Sequence, residues 1–157
     1  MRTECGGLIA RDDLCLVEVL AYRWQPGRSC RILGLFADAG IPLCYLTIGN
    51  GADGLRNLAL CVSRQHFDAT AKLLEAIRTD HQPRAVDMRE PVSILTLYGP
   101  HFYERIALAS EVYQALCRDG IDTLSLGSSV NSISVVVAEP DAPAAKASFR
   151  KRFIWPE

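Results

Sequence analysis

Two polar turns of this 157-residue sequence carry residues that could bind a small molecule. The first turn precedes a predicted helix, whose N-terminus offers unpaired backbone N–H groups and a partial positive charge to a carboxylate. Arg23 or Arg28 could add a charge-assisted hydrogen bond. Trp24 is either a lid that stacks on the ligand or a side chain that packs on the sheet or a dimer interface. The candidate binding residues of this turn are Trp24, Gln25, Pro26, Gly27, Arg28 and Ser29.

The second polar turn lies within 120–138, where two strands are predicted. If a carboxylate sits at the first turn, the ammonium group of an amino acid needs an acceptor, such as Asp122 or a strand carbonyl. Asp122 could instead accept hydrogen bonds only from nearby backbone N–H groups. Ser128 and Ser129 are candidate ligand contacts, although turns favour serine in any case.

Catalytic and metal chemistry is not indicated by the remaining residues. No nucleophile–base pair and no carboxylate pair stands at a spacing typical of a catalytic site. His66, His81 and His101 lack metal-ligand spacing, so we expect no metal site. Since catalytic pairs are missing as well, we expect no cofactor and no enzyme activity. The six cysteines form no C-x-x-C, and most fall at alternating apolar positions, which favours small core residues. The alternative for Cys44 and Cys61 is a redox pair on facing strands.

The composition is typical of a soluble globular protein, with 49% hydrophobic and 22% charged residues. A net charge of −1 gives no general argument for nucleic acid or a membrane as partner. The basic run 150–152 favours a solvated last helical turn over a phosphate site. No apolar run is long enough to span a bilayer, and 1–20 contains several charged residues, so we expect no signal peptide and a cytoplasmic location.

Two similar sets of elements position the two turns. The first set comprises a strand over 14–22, a helix opening near Pro26 and ending at Gly40, strands over 41–48 and 55–62, and a helix capped by Ser63. A short strand over 6–10 precedes this set, with 11–13 as a turn. A weak strand or connector over 85–88 follows it.

The second set repeats this order. It comprises a strand over 92–98, a turn at 99–101, a helix with inner face Phe102, Ile106, Ala109, Tyr113 and Leu116 that ends at Gly120, two strands as far as Ala138, and a last helix opening at 139–141. Pairing Gly40 with Gly120 and Val17 with Ile94 gives a period of roughly 77 to 80 residues. Both copies follow βαββα, which predicts a small α+β domain used twice.

The two copies resemble a tandem pair of ACT domains, specifically the regulatory region of aspartokinases. In the first copy the resemblance rests on the segments 25–27, 30–32 and 39–41. In the second copy it rests on the segments 98–99, 112–116, 119–122, 128–129 and 133–136.

The resemblance implies two ferredoxin-like βαββαβ domains in tandem, with antiparallel sheets and helices packed on one face. We place the first domain at 12–81 and the second at 82–157, with 1–11 as a candidate extra strand of the second. One repeat can be inserted within the other in such tandems. The resemblance further implies a non-catalytic module, a homodimer, that senses an amino acid at the turn between the first strand and helix or at a domain interface, and that acts on an enzyme partner.

Several residues depart from the family pattern. Positions that are commonly Asn and Asp at the start of the second strand are Pro42 and Cys44 here, and the second copy has Ile106-Ala107 where the first has Pro-Gly. The sequence also lacks the Lys-Phe-Gly-Gly-type phosphate motif of the kinase portion, so we expect no aspartokinase activity. The main alternative to an effector-binding module is a structural dimerisation or interaction module that has lost effector binding. A small enzyme or metal-binding protein is the third hypothesis.

Overall fold

The computed structural model describes residues 1–100, 102–105 and 107–156. His101 of the predicted turn and Ile106 of the predicted helix face lie outside the described residues. The chain forms two compact units: a central unit, Leu14–Glu90, and a split unit, made of Met1–Asp13 and Pro91–Glu157. The domain limits 12–81 and 82–157 come from the sequence repeat, which compares similar segments and not compact units. They stay a prediction.

Apart from a two-residue strand near each end, the elements follow each other in the order that the repeat predicts. They are β1 (Thr3–Glu4), β2 (Gly7–Arg23), α1 (Arg28–Asp38), β3 (Tyr45–Asn50), β4 (Leu55–Ser63), α2 (Phe67–His81), β5 (Ala85–Tyr98), α3 (Leu108–Arg118), β6 (Ser125–Ser128), β7 (Ser132–Ala138), α4 (Ala142–Arg152) and β8 (Phe153–Ile154). The long strands β2 and β5 each run through a limit between the two units. No helix in the described part of the chain is long and apolar enough to cross a membrane.

In the central unit, an antiparallel sheet is covered by helices on one face. Its strand order includes β3-β4-β2, and Leu60 of β4 pairs with Val17 of β2. Because side chains alternate along a strand, Val17 and Leu60 share a face, and both belong to one buried cluster with helix residues. The helix residues of that cluster include Ile32, Phe36, Leu74 and Ile77. This burial of an apolar helix face stabilises both helices.

The split unit repeats this arrangement with its own core. Its antiparallel strands follow the order β5-β7-β6, and Leu95 of β5 pairs with Val135 of β7. Both residues are fully buried in a cluster that also contains Leu116 of α3 and Phe149 of α4. The short strands β1 and β8 pair in parallel in the same unit. The predicted α+β fold, with antiparallel sheets and helices on one face, is confirmed.

The helices α1 and α3 end in the same way. Gly40 and Gly120 adopt left-handed conformations with φ of 67° and 69°, which glycine tolerates without a steric penalty. The backbone N–H groups of Ile41 and Ile121 donate back to carbonyls of the last turn at 2.9 and 3.0 Å. These are Schellman motifs, and both helix ends were predicted from the Gly-Ile pairs.

The predicted turn at 11–13 is wrong, because β2 continues through it as one strand. Two non-local hydrogen bonds hold the polar residues there: Ser93 donates to Asp12 at 2.6 Å, and the Asp13 N–H donates to Glu139 at 2.7 Å. Asp13 lies within the strand and adopts a φ of 61°. These partners stand at least 81 positions away, beyond the reach of local pattern.

Several predicted starts and faces also differ from the structure. The predicted face of α3 is wrong at Ala109 and Tyr113, which are exposed, and it omits the buried Leu108 and Val112. Phe102 and Leu116 are buried, as predicted. The helix begins only after the left-handed Ala107. Its side chains therefore point in different directions from those of a helix that would continue from the preceding residues. The second strand of the first set begins at Tyr45 rather than at 41. Ser63 makes no side-chain capping bond, because a short 3-10 helix intervenes before α2.

Candidate functional site

The predicted turn of the central unit lies between β2 and α1. Gly27 occupies the N-cap position with φ of 76°, and its carbonyl accepts the first helical hydrogen bond from the Arg31 N–H at 2.9 Å. The helix therefore begins at Arg28. Pro26 was predicted as the first helical residue, and this is wrong because the left-handed Gly27 separates it from the helix.

Most polar groups of this turn are already engaged within the chain. The terminal guanidinium nitrogens of Arg28 donate to the carbonyl of Arg23 at 3.1 Å and to the side-chain oxygen of Gln25 at 2.7 Å. Ser29 and Tyr22 share a hydroxyl–hydroxyl bond of 2.8 Å. These bonds stabilise the turn, and they leave few donors of the predicted set available to a carboxylate.

Trp24 lies at the edge of the same turn with 53% of its surface exposed. The guanidinium carbon of Arg56 stands 5.7 Å from the centre of the Trp24 ring, within range of a cation–π interaction. The backbone N–H of Trp24 donates to the carbonyl of Gly54 at 3.2 Å. Trp24 therefore contacts the turn that follows β3, and about half of its surface is open to solvent.

A cavity of about 320 Å³ lies in the split unit, at the N-terminus of α3. Its volume falls in the range of small-molecule sites. It is lined by Phe102, Tyr103, Arg105, Ala107, Leu108, Ala109, Ser128, Ser129 and Ile133. We call it the α3 cavity.

Donors converge on the α3 cavity from two elements. Ala107 is the N-cap of α3 in a left-handed conformation, and no side chain of the described residues caps the helix. The N–H groups of the first helical turn are therefore available to an anion. Arg105 adds a positive charge, and Ser128 and Ser129 bring hydroxyl groups from the end of β6.

The hairpin that follows β6 positions the two serines. The Ser129 N–H donates to the carbonyl of Ser132 at 2.8 Å, and the two hydroxyl groups form a further bond of 2.8 Å. Ser128 pairs with Ile133 in the register of β6 and β7. The turn is therefore closed by its own hydrogen bonds, and Ser128 lines the cavity beside it.

The structure brings only two of the predicted site residues together at one cavity. Ser128 and Ser129 line the α3 cavity, whereas Asp122 is exposed and is not among its lining residues. The residues 24–29 belong to the central unit. Sequence reasoning missed Arg105, although the alignment of Ala107 with Gly27 pointed to the helix start beside it.

Two thiols have raised pKa values. Burial raises the pKa of the Cys5 thiol, while the positive charge of nearby Arg105 lowers it. Burial, with smaller contributions from Cys44 and Cys15, raises the pKa of Cys61 to about 12. The Cys44 N–H donates to the Cys61 carbonyl at 2.8 Å, as expected for facing strands. Within the described ranges, no group of three or more His, Cys, Asp or Glu side chains could hold a metal ion.

The fold of this chain is that of a pair of ACT domains. Solved structures that cover nearly the whole chain share it, and two of them are regulatory subunits of aspartate kinase, in line with the sequence resemblance. The regulatory subunit of aspartate kinase from Thermus thermophilus, in a ligand-free form, matches 96% of this chain and 99% of its own, with a TM-score of 0.84 and 17% identity.

Two further comparisons agree with this fold. A chain from a crystal structure of aspartokinase alpha and beta subunits matches 94% of this chain and 97% of its own, with a TM-score of 0.83 and 20% identity. In sequence, the chain is 23% identical over 134 residues to an aspartate kinase of Pseudomonas fluorescens (strain SBW25). That match covers 85% of this chain, which spans about a third (32%) of the curated relative. No protein-family model matches the sequence.

Proposed function

We propose that this chain is a non-catalytic regulatory module that binds an amino acid or a similarly small effector and acts on an enzyme partner. The support is the fold, which is shared with chains described as regulatory subunits of aspartate kinase. A cytoplasmic location belongs to the proposal, since Cys30 and Cys117 are exposed thiols outside any disulfide, as suits a reducing compartment.

The observation that carries the proposal is the α3 cavity. An amino-acid carboxylate would accept hydrogen bonds from the first-turn N–H groups of α3 and a charge-assisted bond from Arg105. The ammonium group would donate to the hydroxyl oxygens of Ser128 and Ser129. An effector that binds one arrangement of the protein better than another shifts the population toward it, and this is how binding here would reach a partner.

The turn at 24–29 and Asp122 stay in the proposal as additional contacts. Since the terminal nitrogens of Arg28 are engaged with Arg23 and Gln25, we assign its turn a role in shaping the effector site rather than a primary contact of the effector carboxylate. Gly27→Val tests this assignment, because a branched side chain is strained at a φ of 76°. Effector binding that survives Gly27→Val would remove the turn from the site.

The test is a thermal-unfolding screen against the twenty amino acids, followed by calorimetric titration of any hit. A ligand at about a hundred times its dissociation constant adds roughly 2.7 kcal/mol of stability. Arg105→Gln should weaken the hit about tenfold, since one charge-assisted bond is lost. Arg118→Gln is the matched control, because Arg118 is an exposed arginine at the other end of α3. Equal binding by both variants would exclude the α3 cavity.

A specific observation favours a second candidate, a dimerisation module. β3 is the outermost strand in the sheet order of the central unit, and it exposes 42% of Leu46 and 45% of Ile48. An edge strand with exposed apolar side chains is a template for pairing with a second copy. Leu46→Lys with Ile48→Lys should convert a dimer to a monomer in light scattering. A dimer without any amino-acid hit would favour this function over the first.

A further inference from the structure

A second cavity, of about 450 Å³, lies in the central unit between α1 and the end of α2. We call it the α1–α2 cavity. Its charged and polar lining residues are Arg28, Arg31, Asp38, Asp80 and His81. Gly34 also lines it, and a Cβ built on Gly34 would meet no atom within 4 Å. The middle of α1 therefore leaves open space beside several charged side chains.

Two buried nitrogen atoms of this cavity lack partners. Arg28 Nε and His81 Nδ1 are both shielded from solvent, and neither has a hydrogen-bond partner among the described residues. Buried polar atoms are nearly always paired, because an unpaired one retains its desolvation penalty. Arg28 Nε is a donor, and His81 Nδ1 donates in the charged imidazole and in one neutral tautomer, so one acceptor from outside the chain would pair both atoms.

The charges of the lining favour an oxyanion as that acceptor. Arg31 is exposed, and its side chain makes no hydrogen bond or ion pair within the described part of the chain, so its guanidinium is available beside Arg28. Asp38 and Asp80 are also exposed, where solvent and salt weaken their repulsion of an anion. A guanidinium matches carboxylate and phosphate oxygens in geometry as well as charge.

We propose that the α1–α2 cavity binds the oxyanion group of a small metabolite, a carboxylate or a phosphate, through Arg28 Nε, the Arg31 guanidinium and His81 Nδ1. The site is distinct from the α3 cavity, and the proposal does not depend on the effector site there. The volume exceeds the need of a single inorganic anion, so the rest of the metabolite lies along Gly34.

Proton linkage gives the site a distinctive signature. Burial and the neighbouring Arg28 and Arg31 lower the pKa of His81, while Asp80 on its own helix opposes the shift; Asp38 is the remaining charged lining residue. A bound anion favours the charged imidazole and raises that pKa. Binding therefore takes up a proton, and the affinity for the anion rises as the pH falls.

The experiment follows the His81 ring by NMR from pH 5 to 8, with its resonance assigned by its loss in His81→Gln. Sulfate, which does not titrate in this range, represents the phosphate class, and acetate represents the carboxylate class, each at ionic strength fixed with chloride. We expect one of them to raise the pKa of His81 saturably. Arg31→Gln should weaken that anion about tenfold. Gly34→Leu should abolish binding by filling the open space.

Two controls and two outcomes decide the proposal. Lys72→Gln removes one positive charge from an exposed position of α2 outside the cavity and should leave binding unchanged. Arg105→Gln, which tests the α3 cavity, should also leave it unchanged. A His81 pKa that neither anion moves beyond chloride would overturn the proposal. Equal anion affinity in wild type, Arg31→Gln and Gly34→Leu would overturn it as well.

Discussion

Ala107 adopts the same left-handed backbone conformation that Gly27 adopts 80 positions earlier, with φ of 64° against 76°. Both residues are N-caps, and their carbonyls accept the first helical hydrogen bonds of α3 and α1, each at 2.9 Å. For alanine this conformation costs about 1 to 2 kcal/mol, because Cβ approaches the following carbonyl. The structure thus keeps the turn in the split unit at an energetic cost.

We predict that Ala107→Gly stabilises the protein by about 1 kcal/mol, because it removes the steric cost at a positive φ. Gly27→Ala should destabilise by about the same amount for the opposite reason. Urea-unfolding midpoints of both variants and wild type measure the two effects. Destabilisation by Ala107→Gly would show that the entropy gained by the unfolded chain outweighs the strain.

Thr70 gives a prediction about an unpaired hydroxyl in the core. Its side chain is fully buried in α2, and its Oγ1 has no hydrogen-bond partner among the described residues. Thr70→Val keeps the shape and removes the hydroxyl, so it should raise the free energy of unfolding by about 1 kcal/mol. Thr70→Ser keeps the hydroxyl and loses a methyl group, so it should lower it by about 1 kcal/mol. Thermal unfolding measures both effects. A Thr70→Val variant that is less stable than wild type would contradict an unpaired Thr70 hydroxyl.

The carboxylate of Asp119 contributes stability that the protein loses in acid. Hydrogen bonds from Lys151, at 2.7 Å, and from Ser148 lower the pKa of its carboxyl. A lowered folded-state pKa contributes stability that is fully present above the unfolded value, near 3.8, and is lost as the pH falls through the folded-state value. Asp119→Asn should therefore be less stable than wild type at pH 7.

The difference between Asp119→Asn and wild type should shrink in urea titrations taken from pH 5 down to pH 2. Asp87→Asn is the matched control, since Asp87 is an exposed carboxylate for which no ion pair is found in the described residues. A gap between wild type and Asp119→Asn that stays constant across this pH range would show that the carboxylate charge does not contribute.

Cysteine reactivity should follow burial. Cys30 and Cys117 are exposed, whereas Cys61 is fully buried and its pKa is raised to about 12. Since the thiolate is the reactive form, iodoacetamide at pH 8 should modify the two exposed thiols first. Cys61 should react only in denaturant, as peptide mass spectrometry would show. Labelling of Cys61 at the rate of Cys30 in the folded protein would contradict its burial.

The helix ends could be predicted from sequence because their causes are local. Gly40 and Gly120 stop their helices through their own backbone freedom, and each is followed by a buried isoleucine. The continuous strand β2 could not be predicted in this way. Asp12 and Asp13 stay in the strand because Ser93 and Glu139, distant in sequence, satisfy them.

The candidate site likewise contains residues that could be predicted from local sequence and residues that could not. The turn chemistry of Ser128 and Ser129 made them candidates, and they line the α3 cavity. Arg105 was missed because its position depends on a left-handed alanine, a conformation that the residue type does not signal. Arg28 was selected for its charge, but that charge is largely directed at its own turn.

The insertion of the central unit within the split unit sets an order for folding during synthesis. Residues 14–90 are complete while the ribosome still adds residues 91–157. The split unit must wait, since Thr3 and Glu4 find their strand partners only at Phe153 and Ile154. Because domains generally fold as units as they emerge, Thr3 and Glu4 remain without their strand partners until Phe153 and Ile154 have been translated. Thr3 and Glu4 therefore stay accessible to chaperones and proteases for longer than the residues of the central unit.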